Sequence, residues 1–156
     1  QKMNIDDHLV IERVNNAKEN NLIIGFTNGC YDLLHKGHLH LIQKASTYCD
    51  FLIVAINSDK SVREIKGSER PIENQYTRLN NLKKNKNVDE VIVFDELTPI
   101  NLIKKIIPDV LIKGSDYRKE DIVGYDVVKS AGGKVITIDL LDGYSTTNII
   151  NQRKIK

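Results

Sequence analysis

The chain has 156 residues, a length typical of a single domain that can bury a sizeable core without disulfide bonds or metal ions. Its 23 lysines and arginines nearly balance 21 aspartates and glutamates, so the overall charge does not indicate a nucleic-acid or membrane partner. The sequence shows no signal-peptide pattern and no apolar run near the ~18 residues of a transmembrane helix, and two cysteines in different elements are typical of a reduced cytoplasmic protein.

The predicted elements alternate between helix and strand along one domain, residues 1–156. A first helix over 7–20 lies in an N-terminal segment, 1–21, that precedes the core. In chain order the core elements are strand 22–26, helix 37–47, strand 51–56, a short helix ending near residue 65, helix 73–84, strand 88–94, a helix ending near 107, strand 110–112, helix 122–131, strand 135–140 and a last helix. Thr98 is predicted to cap the helix that ends near 107, with Pro99 at its first position.

This alternation predicts an α/β protein with a three-layer, Rossmann-like arrangement around a five-stranded parallel sheet. Ligands in such sheets bind at the carboxyl ends of the strands, near the point where the strand order reverses. Polar segments follow four of the predicted strands, at 27–38, 57–66, 113–117 and 143–147. We therefore expect these segments to meet at one edge of the sheet.

The segment Thr27–His38 is the most informative part of the chain. It joins a buried strand to a helix that opens with His35-x-Gly37-His38. The N–H groups and the dipole of a helix start attract anions, and Gly37 lets the backbone approach a phosphate closely. Histidines three residues apart lie on one helical face, so both can reach one phosphate. They are also able simply to cap the helix, but the complete segment favours a phosphate site.

Further motifs fall in a characteristic order. They are His35-x-Gly37-His38, Asn57-Ser58-Asp59-x-Ser61-Val62, Lys66-Gly67-x-x-Arg70-Pro71, Thr98-Pro99, Pro108-Asp109-Val110-Leu111-Ile112-Lys113-Gly114-x-Asp116-Tyr117, Ile122-Val123-Gly124 and Ser145-Thr146-Thr147. With them the chain resembles the cytidylyltransferase-like nucleotidyltransferases, and among these the bacterial heptose 1-phosphate adenylyltransferases. The resemblance extends from about Ile24 to Ile150. The chain departs from it with Tyr31 in place of Phe and Ser115 in place of Gly, and neither change removes a charged or donor group.

The resemblance implies a nucleotidyltransferase fold and transfer of AMP from ATP to heptose 1-phosphate, giving ADP-heptose and pyrophosphate for lipopolysaccharide or another surface glycan. It also implies Mg²⁺ as cofactor and a homodimer. Such enzymes occur alone or as the C-terminal half of a bifunctional kinase/adenylyltransferase, so an attached sugar kinase domain stays open. The chemistry needs positioning and charge neutralisation rather than a protein nucleophile, which makes a phosphohistidine intermediate the less favoured route.

The catalytic candidates are His35 and His38, as donors to the α and β phosphates, and Lys66, which either closes over the phosphates or is an ordinary surface lysine. The residues expected to bind nucleotide are Thr27, Asn28, Gly29, Cys30, Tyr31, Gly37, Lys113, Gly114, Asp116, Ser145, Thr146 and Thr147. For residues 145–147, plain capping of the last helix is the alternative. Arg70 and Arg78 are expected to hold the substrate phosphate.

Two of these site predictions have structural alternatives. Arg78 lies on a predicted helix and can equally make a structural ion pair. Asp32 is a tentative Mg²⁺ ligand, but it can instead orient His35 or cap the following helix.

Three alternative functions are considered. A CTP-dependent glycerol-3-phosphate cytidylyltransferase would share His-x-Gly-His and Ser-Thr-Thr, but that group carries Arg-Thr-Glu-Gly where this chain has residues 140–143. A catalytically silent nucleotide-binding module is disfavoured by the intact histidine pair, Lys66 and residues 145–147. A Rossmann dehydrogenase is disfavoured because no Gly-x-Gly-x-x-Gly follows the first strand.

Overall fold

The computed structural model describes residues 5–141 and 149–150. Its helices are α1 (Ile5–Glu19), α2 (Lys36–Ser46), α3 (Asp59–Lys66), α4 (Gln75–Lys83), α5 (Ile100–Ile106) and α6 (Tyr125–Ser130), and Lys119–Asp121 form a 3-10 turn. Its strands are β1 (Ile24–Gly29), β2 (Phe51–Asn57), β3 (Glu90–Phe94), β4 (Val110–Gly114) and β5 (Lys134–Ile138). The predicted cap of the last helix, residues 145–147, lies outside the described residues.

The five strands form one parallel sheet in the order β3-β2-β1-β4-β5. The chain moves outward from β1 to β3 and then returns to place β4 on the other side of β1, so the order reverses between β1 and β4. The predicted five-stranded parallel sheet is therefore confirmed. Right-handed crossovers from parallel strand to parallel strand place helices on both faces of such a sheet.

The core has two parts, one on each face of the sheet. On one face, buried side chains of α1, α5 and α6 pack against Ile24 and Phe26 of β1. On the other, Ile42 of α2 and Leu82 of α4 pack against Val54 and other strand residues. Because successive strand residues point to opposite faces, each apolar strand supplies both parts of the core. This gives the three layers that the sequence predicts.

Strand β1 differs from the predicted strand 22–26. It begins at Ile24 and continues to Gly29, because Thr27, Asn28 and Gly29 pair with β2 in the same parallel ladder as the apolar residues before them. Backbone pairing does not depend on side-chain polarity, so hydropathy alone placed the end of the strand too early. The first residues of the predicted phosphate-binding segment thus belong to the sheet.

The starts of α5 and α6 also differ from prediction. Pro99 itself occupies the cap position of α5 without a side-chain hydrogen bond, so the prediction of Thr98 as the cap is wrong. Helix α6 starts at Tyr125, after Gly124 with φ +94°, rather than near residue 122. A Cβ on Gly124 would lie 2.7 Å from Ile103 Cδ1, so the chain passes too close to α5 for a larger residue.

Within residues 5–141 and 149–150, no helix combines the length and apolar character that a membrane span requires.

Candidate active site

Side-chain hydrogen bonds join the carboxyl ends of the central strands. Lys113 Nζ, at the end of β4, donates to Asn28 O of β1 over 2.9 Å. Arg78 Nη1 donates both to Cys30 O, just after β1, and to Asn57 O, the last residue of β2. Three of the predicted polar segments, 27–38, 57–66 and 113–117, are therefore joined at the edge of the sheet at which ligands bind in this kind of fold, and the fourth, 143–147, lies outside the described residues.

The two histidines stand together at the start of α2. Their rings are stacked, with centroids 3.7 Å apart and planes inclined by 20°. His35 Nδ1 accepts the N–H groups of Gly37, at 3.1 Å, and His38, at 3.3 Å, while His38 Nδ1 accepts the N–H of His35 at 3.3 Å. A neutral imidazole that accepts at Nδ1 carries its proton on Nε2. Capping therefore leaves each ring a donor nitrogen on its opposite side.

Both histidines are held in the neutral form. Burial lowers the pKa of His35. The pKa of His38 falls to about 3, mainly through burial and further through electrostatic interactions with His35 and Lys66, with Asp32 opposing. The influence on His38 shows that Lys66 is within electrostatic reach of the pair, although its side chain is exposed at the end of α3. At neutral pH the rings are thus uncharged donors near the exposed cation of Lys66.

Tyr31 supports the histidine pair from below. Its ring centroid lies 5.1 Å from that of His38, and a Cβ on Gly29 would come within 3.1 Å of the ring. Burial raises the pKa of Tyr31 to about 12, with the nearby Thr27 hydroxyl opposing the shift. Neither hydroxyl makes a hydrogen bond of normal geometry within the described part of the chain, although the two hydroxyls lie close enough to influence each other. These two predicted nucleotide-binding side chains are buried in the core under α2.

Asp32 binds the loop before α4. Its carboxylate accepts the N–H groups of Ile72, at 2.8 Å, and Glu73, at 2.9 Å, together with Nε of Arg70 at 3.2 Å. In the chain segments that the structure describes, no group of three or more His, Cys, Asp or Glu side chains could hold a metal ion. The Mg²⁺ role of Asp32 stays a prediction, and the observed bonds give this carboxylate a different task.

Arg78 is a structural residue. It is fully buried, and Nε donates to Glu73 O while Nη1 donates to Cys30 O and Asn57 O, over 2.7 to 3.0 Å. Nη2 pairs with Asp59 Oδ1 at 2.8 Å. A guanidinium enclosed in this way has no face for a substrate, so the expected substrate-phosphate role of Arg78 is corrected to the alternative of an internal ion pair.

Arg70 is different, because only part of its guanidinium is occupied. Nε donates to Asp32, and the side chain is 12% exposed. Nη2 is buried and has no hydrogen-bond partner among the described residues. A buried N–H group without an acceptor is costly, so this nitrogen is suited to an anionic ligand.

The end of β4 lies beside β1 at the point of strand reversal. Besides its bond to Asn28, Lys113 Nζ lies 5.0 Å from the centre of the Tyr117 ring. Burial lowers the pKa of Lys113, and electrostatic interactions with Asp116 and with Cys30 oppose this. The cation is therefore held between the two strand ends by a carbonyl and an aromatic face.

The remaining predicted nucleotide-binding residues are close to this group. A Cβ on Gly114 would lie 2.8 Å from Asp116 Oδ1 and 2.7 Å from Leu140 Cδ2, so both side chains lie directly against the backbone at this glycine. Cys30 Sγ donates to Asn57 Oδ1 at 3.8 Å, which links the ends of β1 and β2. Ser145, Thr146 and Thr147 lie outside the described residues, and their role stays a prediction.

Sequence reasoning missed Glu73. Its Oε1 accepts the N–H of Leu33 at 2.9 Å across 40 residues of sequence. The residue was read as the first position of a helix, and no local pattern marks a partner so distant. Asn57, whose carbonyl and side chain join the strand ends, was placed in a polar segment but was not singled out.

Comparison with known proteins defines the class to which this fold and site belong. Residues 26–152 match the cytidylyltransferase-like family, and the chain is a member of that family. It is 48% identical over 135 residues to the bifunctional protein HldE of Mesorhizobium japonicum and 51% identical over 135 residues to that of Granulibacter bethesdensis. The alignments cover 86% of this chain in both cases, but 27% and 28% of the relatives. The chain thus spans little more than a quarter of the length of these relatives.

Solved structures agree on the fold. The lipopolysaccharide core biosynthesis protein of Thermoplasma volcanium superimposes with a TM-score of 0.65 at 25% identity, covering 78% of this chain and 99% of that one. The pantoate-β-alanine ligase of Francisella tularensis gives a TM-score of 0.56 at 18% identity over 93% of this chain and 75% of the other. The second likeness concerns the fold alone.

Proposed function

We propose that this chain is an adenylyltransferase that transfers AMP from ATP to heptose 1-phosphate, releasing pyrophosphate and giving ADP-heptose for a lipopolysaccharide or related surface glycan. The observation that carries the proposal is the stacked pair of neutral histidines, each with Nδ1 used in the cap and a donor Nε2. The family match and the similarity to the HldE proteins support the reaction class and the sugar.

In this reaction an oxygen of the sugar phosphate attacks the α-phosphorus of ATP, and the bond from that phosphorus to the pyrophosphate oxygen breaks. Negative charge grows on the equatorial oxygens and on the leaving group. The Nε2–H groups of His35 and His38 donate to these oxygens from fixed positions, which lowers the barrier without a protein nucleophile. Losing one preorganised donor of this kind costs about 2.7–4 kcal/mol.

Two cations complete the proposed site. Lys66, whose charge acts on His38, neutralises the departing pyrophosphate from the end of α3. Arg70 offers its buried Nη2, which lacks a partner in the described part of the chain, to the phosphate of the sugar. The two partners in the transfer are thus bound by groups from different segments.

The nucleotide is proposed to lie over the reversal point between β1 and β4. Lys113, Gly114 and Asp116 border its sugar and base, and Asn28, Gly29, Cys30 and Gly37 line the turn that receives its phosphates. Thr27 and Tyr31 support this turn from the core. Residues 145–147 are proposed to receive the terminal phosphate.

Among the described residues, no three His, Cys, Asp or Glu side chains are grouped so that they could hold a metal ion. We therefore propose that Mg²⁺ enters with ATP, since phosphates and water can supply most of its oxygen ligands. A homodimer and a cytoplasmic location, where ATP is available, complete the proposal, and both a stand-alone enzyme and one with an attached sugar kinase domain are compatible with it.

A pyrophosphate-release assay tests this function. The chain is incubated with Mg²⁺ and each of ATP, CTP, GTP and UTP against a panel that includes heptose 1-phosphate, other sugar 1-phosphates and glycerol 3-phosphate, and products are identified by mass. Turnover is expected with ATP and heptose 1-phosphate. Turnover confined to CTP and glycerol 3-phosphate would replace the proposal by a cytidylyltransferase, and no turnover with any pair would indicate a nucleotide-binding module.

A further inference from the structure

Two segments far apart in the sequence hold each other at the edge of the site. They are the turn 30–33, which leads into α2, and the loop 70–73, which leads into α4. The carboxylate of Asp32 in the turn accepts the N–H groups of Ile72 and Glu73 in the loop. The carboxylate of Glu73 in the loop accepts the N–H of Leu33 in the turn. These reciprocal bonds are called here the Asp32–Glu73 clasp.

The turn needs such a clasp because its backbone is unfavourable. Tyr31 has φ +52° and Leu33 has φ +53°, a left-handed backbone conformation that residues other than glycine rarely adopt. Both residues are buried, and the next residue but one after Leu33 is His35. Backbone in this conformation persists when surrounding contacts over-determine it. The Glu73 carboxylate supplies one such contact immediately before the histidine pair.

Glu73 is itself firmly held. Its carbonyl oxygen accepts Nε of the buried Arg78 at 3.0 Å, and the same guanidinium binds Cys30 O in the turn. Glu73 Oε2 also accepts Asn81 Nδ2 at 3.5 Å. The backbone and side chain of Glu73 are therefore fixed by residues of α4, and through Arg78 they are connected to the ends of the strands.

The clasp connects the two halves of the proposed chemistry. Through Leu33 it sets the path of the chain into His35 and His38, and through Asp32 it sets Arg70. We propose that Glu73 is a positioning residue that aligns the histidine donors with Arg70, and so aligns ATP with the sugar phosphate, without touching either substrate. This inference rests on the proposed function.

Glu73→Asp tests the distance on which the proposal depends. It keeps the charge but shortens the side chain by one methylene, so the carboxylate no longer reaches Leu33 from the fixed backbone. Because in-line transfer is sensitive to displacements near 1 Å, turnover is expected to fall by about 10- to 100-fold, with a raised KM for the sugar phosphate and an ATP KM within about threefold of the original. Glu73→Gln keeps an acceptor oxygen at full length and is expected to retain at least about one-third of the rate.

Glu69→Asp is the matched control, since Glu69 is an exposed carboxylate four residues away, and it should leave both KM values and turnover unchanged. A merely structural role would lower the melting temperature and the active fraction without raising the KM for the sugar phosphate. Turnover of Glu73→Asp within about twofold of the parent, or Glu73→Gln as impaired as Glu73→Asp, would overturn the proposal.

A second readout does not need turnover. In ¹⁵N NMR spectra of the folded protein, the ring nitrogens of His35 and His38 report the Nδ1-acceptor arrangement. These signals should shift in Glu73→Asp and stay in place in Glu69→Asp. If the parent protein releases no pyrophosphate with any substrate pair, the proposed function fails, but the ring signals still test whether Glu73 positions the histidines. Unchanged ring signals in Glu73→Asp would overturn the positioning role of Glu73.

Discussion

Helices α2 and α4 begin at the same edge of the molecule but are capped by different chemistry. At α4, Asn74 Oδ1 accepts the N–H of Thr77 at 2.9 Å, and Asn is among the residues that most often cap helices. At α2 the cap is His35, and His38 returns the bond to its backbone. Histidine is not a preferred cap, so its presence calls for a second reason.

The second reason is the other ring nitrogen. An amide oxygen that caps a helix has used the functional end of a short side chain, whereas an imidazole that caps through Nδ1 still carries a proton on Nε2. The cap also fixes the ring orientation and its tautomer. Histidine is a less favourable helix cap than Asn, but in this position it becomes a preorganised hydrogen-bond donor. Departures of this kind from local sequence preferences are expected at functional sites.

Removing one donor should have the largest effect. His38→Ala takes away an Nε2–H, and we expect turnover to fall by about 100- to 1000-fold while ATP binding changes little. Pyrophosphate release gives the rate and calorimetric titration gives the ATP affinity. His8→Ala, an exposed histidine on α1, is the control. An unchanged rate for His38→Ala would contradict the role given to this ring.

Replacing the unusual cap by an ordinary one separates its two tasks. His35→Asn keeps an acceptor for the first N–H groups of α2, so the free energy of unfolding should change by less than about 1 kcal/mol. The Nε2–H donor is lost, and turnover should fall by about 100-fold. The matched exchange at α4, Asn74→Ser, should alter neither quantity appreciably. If His35→Asn retained full activity, the histidine would be nothing more than a cap.

The comparison also shows which features of the fold and site can be predicted from the sequence. Strand and helix alternation predicted the parallel sheet, because apolar runs covered on both faces have few other arrangements. The spacing of His35 and His38 placed both rings on one face of α2, as the structure has them. These features depend on local periodicity, which the sequence states directly.

Features that depend on residues far apart in the chain were not predicted from the sequence. Arg70 precedes a predicted helix and Arg78 lies on it, and only the fold shows that Arg78 is enclosed while Arg70 retains a buried Nη2 without a partner in the described part of the chain. Glu73 acts across 40 residues of sequence. Thr98 is a residue type that often caps helices, but Pro99 occupies the N-cap position of α5. In each case tertiary packing decided between roles that the local sequence allowed equally.

A histidine cap differs from an amide cap in that it titrates. The pKa of His38 is lowered from 6.5 to about 3 in the folded protein, mainly by burial. Below about pH 6.5 the unfolded chain then binds more protons at this site, so its contribution to stability is lost progressively as the pH falls toward 3.

Urea unfolding at about pH 7 and at about pH 4.5 measures this loss, with His38→Asn as the comparison. The parent protein should lose more stability than the variant over this interval, since the carboxylates common to both cancel in the difference. Parallel losses would show that His38 titrates normally in the folded state.

The smallest effect concerns the ring beneath the histidines. Tyr31 stands where the resembled family has Phe, and its buried hydroxyl interacts with that of Thr27 but makes no hydrogen bond of normal geometry among the described residues. An unpartnered buried polar group is destabilising, so Tyr31→Phe should keep the ring contact with His38 and raise the free energy of unfolding by about 1 kcal/mol or less. Urea unfolding measures the difference, with the exposed Tyr76→Phe as the control. A loss of stability in Tyr31→Phe would mean that the hydroxyl is satisfied, and that the support of the histidine cap is polar as well as aromatic.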